Sequence, residues 1–296
     1  MNVSVIIITR NTCALTCAAV RSVQAAAGSL TWEIIIVDNG SNDNTAAVLK
    51  HDFPSIKLIR SETNLGFARV CNLAAKQARG EFLLLLNSDA RLAPDALELA
   101  SAWMRAHPDC AVAGAQLLNP DGSHQNSIAN FPTLATELLN KSLLLRLWPK
   151  KIPGKEQVFT APVDVEMIVG AFVFVRKGIW DVLGGPDPHA VLVVDGRIGK
   201  LKGDLLHHSI KDLSHLVRKT LAYSDDFLRQ QIETGRKVSS LDVWVRPVWR
   251  FGRGYLLRLG FLDGWQSFHA AWIGAFYTFL RYARVLEEQH KTPPVK

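Results

Sequence analysis

Three short polar clusters in the first third of the chain directly follow runs of apolar residues. They are Thr9-Arg10-Asn11, Asp38-Asn39-Gly40-Ser41 and Asn87-Ser88-Asp89. A carboxylate at Asp38 could accept a hydrogen bond from an N–H group of a nucleotide base, and Gly40 would let the backbone approach such a ligand. Asp89 could reach a divalent cation that bridges two phosphates, because Mg²⁺ and Mn²⁺ prefer oxygen ligands and need few protein carboxylates when phosphates supply the rest.

Each cluster also has an ordinary structural interpretation. An Asp at the end of a strand serves as a capping residue about as often as it binds a ligand. The segment Asn64-Leu65-Gly66 could simply form a turn before a helix. The tripeptide that ends in Asp89 is unspecific by itself. The series of Asp38, Asn64, Gly66 and Asp89 at these intervals is far more specific, and it favours a nucleotide site with a divalent cation.

The elements that must position these clusters alternate between strand and helix. Apolar, β-branched runs predict buried strands, and capped amphipathic stretches predict helices between them. Strands are predicted at Val3 to Thr9, Trp32 to Val37, Ile56 to Arg60, Glu81 to Leu86, Cys110 to Leu117 and Asp164 to Arg176, and helices at Cys13 to Ala27, Asn42 to Lys50, Phe67 to Arg79, Pro94 to His107 and Lys177 to Leu183. This order indicates an α/β fold with a mostly parallel, doubly wound sheet, in which ligands bind at the carboxyl ends of the strands.

Residues 1 to about 187 resemble the family-2 glycosyltransferases of the GT-A fold, nearest to a rhamnosyltransferase-like branch. The matching segments are VSVIIITRN (3–11), EIIIVDNGSNDNT (33–45), ETNLGFARVCN (62–72), GEFLLLLNSDA (80–90) and VEMIVGAFVFVRKGIWDVLGG (165–185). The resemblance implies an inverting enzyme that uses a UDP- or dTDP-sugar and a divalent cation. It assigns Thr9, Asp38, Asn64, Gly66, Phe67 and Asn72 to the nucleotide, Asp89 to the metal, and Gly170 and Ala171 to the sugar and acceptor.

The resemblance changes after the segment Gly184-Gly185-Pro186-Asp187. The rhamnosyltransferase-like branch continues with a Glu-Asp pair that supplies the base, and this chain has no Glu between Glu166 and Glu233. From about residue 188 the chain is similar to lipopolysaccharide-core family-2 glycosyltransferases, which have a His-Glu pair where His189-Ala190 stands here. Asp187 and His189 are therefore the candidate bases. Three functions stay open: an active transferase, a hybrid that binds nucleotide-sugar without transfer, and a nucleotidyltransferase.

The carboxyl-terminal region is basic and aromatic. The sequence predicts a domain of residues 1–187 and a helical region of residues 188–296, with amphipathic helices at Ser209 to Tyr223 and Ser224 to Thr234 and a β-like stretch at Ala190 to Val194. Six Arg and one acidic residue, Asp263, lie between Arg246 and Arg284, within a net charge of +7. Arg beside Trp and Tyr favours attachment to the plane of lipid headgroups over simple core packing. A membrane span at Phe261 to Leu280 is disfavoured by its polar residues.

Composition and cysteine use set the expected location. Hydrophobic residues make up 48% and charged residues 21% of the chain, as expected for a globular protein. No signal peptide is expected, because Met1 to Thr9 lacks a basic start. The four cysteines lack the spacing of a metal or redox site and indicate thiols in a reducing cytosol. We therefore expect a cytoplasmic protein, peripheral on the inner membrane, with a glycan or lipid-linked acceptor and no nucleic-acid partner.

Overall fold

The computed structural model of the chain describes residues 1–125, 127–129, 161–165, 167–168, 170–185, 197–207, 213–263 and 265–291. The chain forms two compact units. The first comprises residues 1–131 and 153–209, and the second comprises residues 132–152 and 210–296.

The first unit is an α/β unit that contains the polar clusters. Its strands are β1 (Val3–Thr9), β2 (Trp32–Asn39), β3 (Lys57–Ser61), β4 (Phe82–Asn87), β5 (Ala90–Leu92), β6 (Cys110–Leu118), β7 (His124–Gln125), β8 (Ile128–Ala129), β9 (Met167–Ile168), β10 (Phe172–Arg176) and β11 (Arg197–His207). Its helices are α1 (Cys13–Ala26), α2 (Thr45–Asp52), α3 (Phe67–Ala75), α4 (Ala96–Ala106) and α5 (Lys177–Leu183).

The main sheet has the strand order β3-β2-β1-β4-β10-β6-β11-β5, and β7 pairs with β6. Strands β3, β2, β1 and β4 are parallel to one another, β10 runs antiparallel between β4 and β6, and β11 runs parallel to β6. Strands β8 and β9 form a separate antiparallel pair. The predicted α/β fold with a mostly parallel sheet is confirmed.

Alternate residues of the central strands face two different helical layers. In β1, Val3, Val5 and Ile7 join the core formed with α1 and α4, whereas Ile6 joins the core formed with α3. Successive side chains of a strand point to opposite faces, so a strand that is buried on both faces needs an unbroken apolar run. This requirement explains why VSVIIIT forms the centre of the sheet.

Strand β11 extends the sheet beyond the part of the sequence in which strands were predicted. It pairs with β6, and its register shifts between Arg197 and Ile198 and again between Leu201 and Asp204. Such bulges break the alternation of apolar and polar residues by which a strand is recognised in a sequence. In place of the single strand predicted at 164–176, the structure has two shorter strands, β9 and β10. The β-like stretch predicted at 190–194 lies outside the described residues.

The second unit is helical in its described part. Strand β11 lies within residues 188–296, the region predicted as helical, but it belongs to the first unit. It contains α6 (Leu213–Thr234), α7 (Ser240–Gly252), a π-helical segment (Arg253–Leu257), a short 3₁₀ helix (Gly260–Asp263) and α8 (Trp265–Lys291). Where two amphipathic helices were predicted, α6 runs unbroken through Ser224, whose hydroxyl donates to the carbonyl of Leu221. None of the described helices combines the length and apolar character that crossing a bilayer requires.

Candidate functional site

The polar clusters meet at the carboxyl edge of the parallel strands. In the sheet register Thr9 lies opposite Asp38, and Ile8 lies opposite Asn87. Strands β2, β1 and β4 are neighbours and run in the same direction, so the loops that follow them share one edge. Ligands of doubly wound sheets bind at this edge.

Asp38 is fully buried, and its two carboxylate oxygens have different environments. Oδ1 accepts a hydrogen bond from the backbone N–H of Ser41 at 3.0 Å. Oδ2 is buried and accepts no hydrogen bond from the described residues. Arg60 Nε lies 3.8 Å from it, on a side chain that is 64% exposed. A buried acceptor of this kind is costly unless a donor reaches it, so Oδ2 suits an N–H group of a ligand.

Asn39, the last residue of β2, binds the loop that contains Asn64 through two side-chain hydrogen bonds. Its Nδ2 donates to Asn64 Oδ1 at 2.7 Å, and its Oδ1 accepts from the N–H of Leu65 at 2.8 Å. The N–H of Gly66 also donates to Asn64 Oδ1. The approach requires Gly40, since a Cβ there would lie 2.8 Å from the carbonyl carbon of Thr63 and φ is +79°.

A row of hydroxyl groups joins the end of β1 to the turn that contains Asp89. Thr9 Oγ1 lies 2.9 Å from Thr12 Oγ1 and 2.8 Å from Thr16 Oγ1. Thr12 Oγ1 donates to Ser88 Oγ at 3.1 Å. Asp89, which follows Ser88, is half-buried in the turn between β4 and β5. The start of α1 therefore holds the predicted metal carboxylate near the predicted nucleotide residues.

Two further segments reach the turn that carries Asp89. The N–H of Asn87 donates to the carbonyl of Ala171 at 3.1 Å, which brings the exposed Gly170 and the buried Ala171 beside this turn. In the antiparallel pairing of β11 with β5, His207 lies opposite Ala90, the residue after Asp89. The predicted sugar residues therefore lie beside the predicted metal residue.

The remaining predicted site residues lie on or after α3 and α5. Phe67 begins α3 and is 52% exposed. Asn72 lies one turn further along and packs against Gly185, where an added Cβ would come 1.9 Å from Asn72 Oδ1. Both candidate bases, Asp187 and His189, lie outside the described residues.

Several residues of this edge had no assigned role in the sequence interpretation. Asn39, Thr12 and Ser88 position the nucleotide and metal segments through contacts between residues 25, 26 and 76 positions apart. The spacing of Thr12 and Thr16 at the start of α1 was a usable signal, because residues four apart share a helical face. Thr9 ends β1 and lies outside that pattern. The Asn39 contact had no local signal.

The donor groups at this edge fit a cation that is shared with a ligand. Within the described residues, no group of three or more His, Cys, Asp and Glu side chains could hold a metal ion. Mg²⁺ and Mn²⁺ often bind through one or two carboxylates, with phosphates and water completing the shell. Asp89, half-buried and next to the hydroxyl of Ser88, matches that arrangement once a diphosphate is bound.

Comparisons with known proteins agree with this architecture. The family model described as glycosyl transferase family 2 matches residues 4–183. An uncharacterized glycosyltransferase of Rickettsia typhi is 25% identical over 287 residues, which are 96% of this chain and 87% of the relative. The N-acetylglucosaminyl-diphospho-decaprenol L-rhamnosyltransferase of Mycobacterium tuberculosis is 24% identical over 207 residues, covering 59% of this chain and 66% of that protein. The resemblance noted in the sequence is confirmed.

Among solved structures, the chain is similar in fold to the mannosyltransferase PcManGT of Pyrobaculum calidifontis in complex with GDP-Man and Mn²⁺. The TM-score is 0.52 at 14% identity, and the match covers 97% of this chain and 88% of that one. Both chains share the GT-A fold.

Proposed function

The chain belongs to the family-2 glycosyltransferases, and we propose that it transfers a sugar, with inversion at the anomeric carbon, from a UDP- or dTDP-sugar to a cell-envelope glycan or lipid-linked acceptor. The observation that carries this proposal is the shared carboxyl edge of β2 and β4, the two parallel neighbours of β1. The buried Asp38 is the next-to-last residue of β2, and the half-buried Asp89 lies in the turn after β4. One carboxylate is suited to a base and the other to a cation on the diphosphate.

The environment of Asp38 supports a uracil or thymine base. Both bases carry an N–H between two carbonyls, and Asp38 Oδ2 is a buried acceptor without a hydrogen bond from the described residues. Cytosine presents a lone pair at the same ring position and would repel the carboxylate. The half-exposed ring of Phe67 is available to stack on a base, as aromatic side chains do in nucleotide sites.

The diphosphate is proposed to lie toward Asp89. A divalent cation bound there would act as a Lewis acid and stabilise the negative charge of the leaving nucleoside diphosphate. The chain's contribution is to hold the carboxylate in place, since Thr12 donates to Ser88 and Asn87 donates to the carbonyl of Ala171. Gly170 and Ala171 are proposed to border the donor sugar and the acceptor.

The acceptor hydroxyl must lose its proton to a group on the face of the sugar opposite the leaving diphosphate. Asp187 and His189 are the proposed candidates for this base. We also propose that residues 1–187, extended by β11 in the main sheet, form the catalytic domain. The helical region after β11 is proposed to attach the enzyme to the cytoplasmic face of the inner membrane, where lipid-linked acceptors would be present.

Calorimetric titration with UDP, dTDP and CDP, with and without Mn²⁺, tests the donor site. We expect UDP and dTDP to bind in a Mn²⁺-dependent manner, CDP to bind weakly, and Asp89→Ala to lose the Mn²⁺ dependence. Glu81→Ala is the matched control, because Glu81 precedes β4 at the opposite edge of the sheet and pairs with Arg105. Full Mn²⁺-dependent UDP binding by Asp89→Ala would overturn the assignment.

A transfer assay with the same proteins tests the base. Asp187→Asn or His189→Gln should abolish transfer and leave UDP affinity unchanged, whichever of the two is the base. Donor binding without sugar hydrolysis or transfer in the wild-type chain would instead support the hybrid that binds nucleotide-sugar without transfer.

A further inference from the structure

The second unit exposes large apolar side chains along two of its helices and the segment that joins them. We call this set the aromatic face. It consists of Leu241, Trp244, Val245, Val248 and Trp249 on α7, Leu256, Leu257, Phe261 and Leu262 in the joining segment, and Trp265, Phe268, Trp272 and Phe276 on α8. Their exposed fractions run from 40% to 71%. Single exposed apolar residues are normal, whereas a contiguous set indicates an interaction surface.

The spacing of these residues places them in one stripe on each helix. On α7 they recur at intervals of three and four from Leu241 to Trp249, and on α8 they recur in the same way from Trp265 to Phe276. Residues at these intervals share a helical face. The only buried residue of α7 is Val243, which joins the small core with Val238 and Val285. Most of the apolar surface of α7 is therefore left outside that core.

Ring contacts connect each stripe to the other helix. The ring of Trp244 lies 5.7 Å from that of Phe279 on α8, and the ring of Phe251 on α7 lies 5.7 Å from Phe268 and 6.2 Å from Trp272. Phe251 and Phe279 are themselves partly buried. Since the residue early in α7 contacts a residue late in α8 and the reverse, the two helices are antiparallel, and both stripes border the line along which the helices pack.

The charge of the same segment is positive. Between Leu241 and Trp265 the sequence has four Arg, namely Arg246, Arg250, Arg253 and Arg258, against Asp242 and Asp263, which leaves a net charge of +2. Arg246 is paired with Asp242 at 2.6 Å. Arg250 is exposed. Partial burial lowers the pKa of Arg253, and repulsion from the Arg258 guanidinium lowers it further. The segment that carries the aromatic face therefore has a net positive charge, which an anionic surface would attract.

We infer that the aromatic face docks on a bilayer surface with anionic headgroups, its Trp and Phe rings entering the interfacial layer and its Arg side chains pairing with lipid phosphates. Interfacial helices have this composition, with Trp, Phe and Leu on one face and Arg beside it. A second copy of the chain fits less well, because a two-fold interface would bring the same Arg-rich segments against each other. The inference rests on the membrane attachment included in the proposed function and names the surface that makes it.

Flotation of the full chain with vesicles tests this inference. One set of vesicles is phosphatidylcholine alone, and the other is equimolar phosphatidylcholine and phosphatidylglycerol. We expect binding that needs the anionic lipid and weakens with added salt, because exposed charges are screened. Four of the eight Trp residues lie on the aromatic face, so Trp emission should shift to shorter wavelength on binding.

Variants connect the binding to the face. Trp249→Ser should weaken vesicle binding about tenfold, because it removes an apolar side chain that becomes buried in the bilayer interface. Arg250→Gln should weaken vesicle binding about fivefold, the equivalent of about 1 kcal/mol per charge at an anionic surface. Val248→Ser provides a second apolar variant if Trp249→Ser fails to fold. The control is Val182→Ser, since Val182 is 84% exposed on α5 in the other unit and should leave binding unchanged.

Equal binding to both vesicle types, no binding, or variants that bind like the wild type would overturn the inference. So would dimerisation in the ultracentrifuge that Trp249→Ser abolishes, because the face would then be covered by a second copy. UDP titration without vesicles is run on the same samples. If the chain binds UDP but not vesicles, only the docking surface is rejected. If it binds vesicles but not UDP, only the donor site is rejected.

Discussion

The substitution Asp38→Asn separates a ligand-binding carboxylate from a structural one. The amide has the same shape as the carboxylate. Its oxygen can still accept the hydrogen bond from the N–H of Ser41, which is 3.0 Å long in the wild type. It replaces the buried Oδ2 acceptor by an NH₂ donor that would face the N–H of a uracil base. A hydrogen bond to a charged group contributes about 1.5–3 kcal/mol, so UDP affinity should fall about ten- to a hundredfold.

The same substitution should leave the free energy of unfolding within about 1 kcal/mol of the wild type. The pair of Asp38 with the mostly exposed Arg60 is long, at 3.8 Å, and such pairs contribute little. Loss of that pair is offset because a buried charge is removed from the folded state. Titration calorimetry with UDP and urea denaturation on the same preparation measure both quantities.

Glu33→Gln is the matched comparison, because Glu33 lies at the opposite end of β2. Glu33 accepts from Ser4 Oγ at 2.6 Å and from the backbone and guanidinium of Arg79. Partial burial raises the pKa of Glu33, but these hydrogen bonds lower it by more, so the pKa lies below the ordinary value of 4.5. We expect this variant to lose about 1–2 kcal/mol of stability and to bind UDP normally. Unchanged UDP affinity in Asp38→Asn, or a stability loss like that of Glu33→Gln, would refute the reasoning.

Three further predictions concern the backbone and pH. Gly40→Ala should weaken UDP binding more than tenfold, because its Cβ would push away the loop of the nucleotide site; Gly122→Ala, with a similar φ of +82° and open surroundings, should leave affinity unchanged. Gly185→Ala should cost about 2 kcal/mol or more in urea denaturation, since φ is +73° and the Cβ would overlap Asn72; a smaller loss would mean that the contact relaxes. Hydrogen bonds from Ser239 and Arg246 lower the pKa of Asp242 from 3.8 to about 2. The ionised Asp242 therefore stabilises α7 above pH 3.8, and this stabilisation is lost as the pH falls toward 2. Amide exchange in α7 should show this loss, and Asp242→Asn should abolish the pH dependence of that exchange.

Local sequence determined the parallel part of the sheet well enough to predict it. The bounds of β1 match the prediction residue for residue, because a strand buried on both faces needs an unbroken apolar run and ends where polar residues begin. Strand β11 lacks such a run. It contains Lys200, Lys202 and Asp204 and two register shifts, so its place in the sheet depends on pairing with β6 and not on its own pattern.

The site was predictable only where a residue's role follows from its place at the end of a strand. Asp38 and Asp89 were visible because each follows a buried strand in the series of polar clusters. The roles of Asn39 and Thr12 depend on which distant segments approach them, and no local pattern specifies that Asn39 meets Asn64 or that Thr12 meets Ser88. Tertiary approach of this kind is set by the packing of the whole sheet.

The two ends of the parallel strands differ in a way that explains why only one of them suits a ligand. At the amino end, Glu33 is fully engaged by Ser4 and Arg79, and Ser4 Oγ also accepts from the N–H of Gly80. At the carboxyl end, Asp38 keeps a buried oxygen without a hydrogen bond from the described residues, and Gly40 holds a positive φ. A buried acceptor without a hydrogen bond reduces stability, so it persists where a ligand supplies the donor that the chain lacks. A nucleoside diphosphate with its cation would supply an N–H group to one carboxylate and a positive charge to the other, and folding of the rest of the sheet would not depend on either.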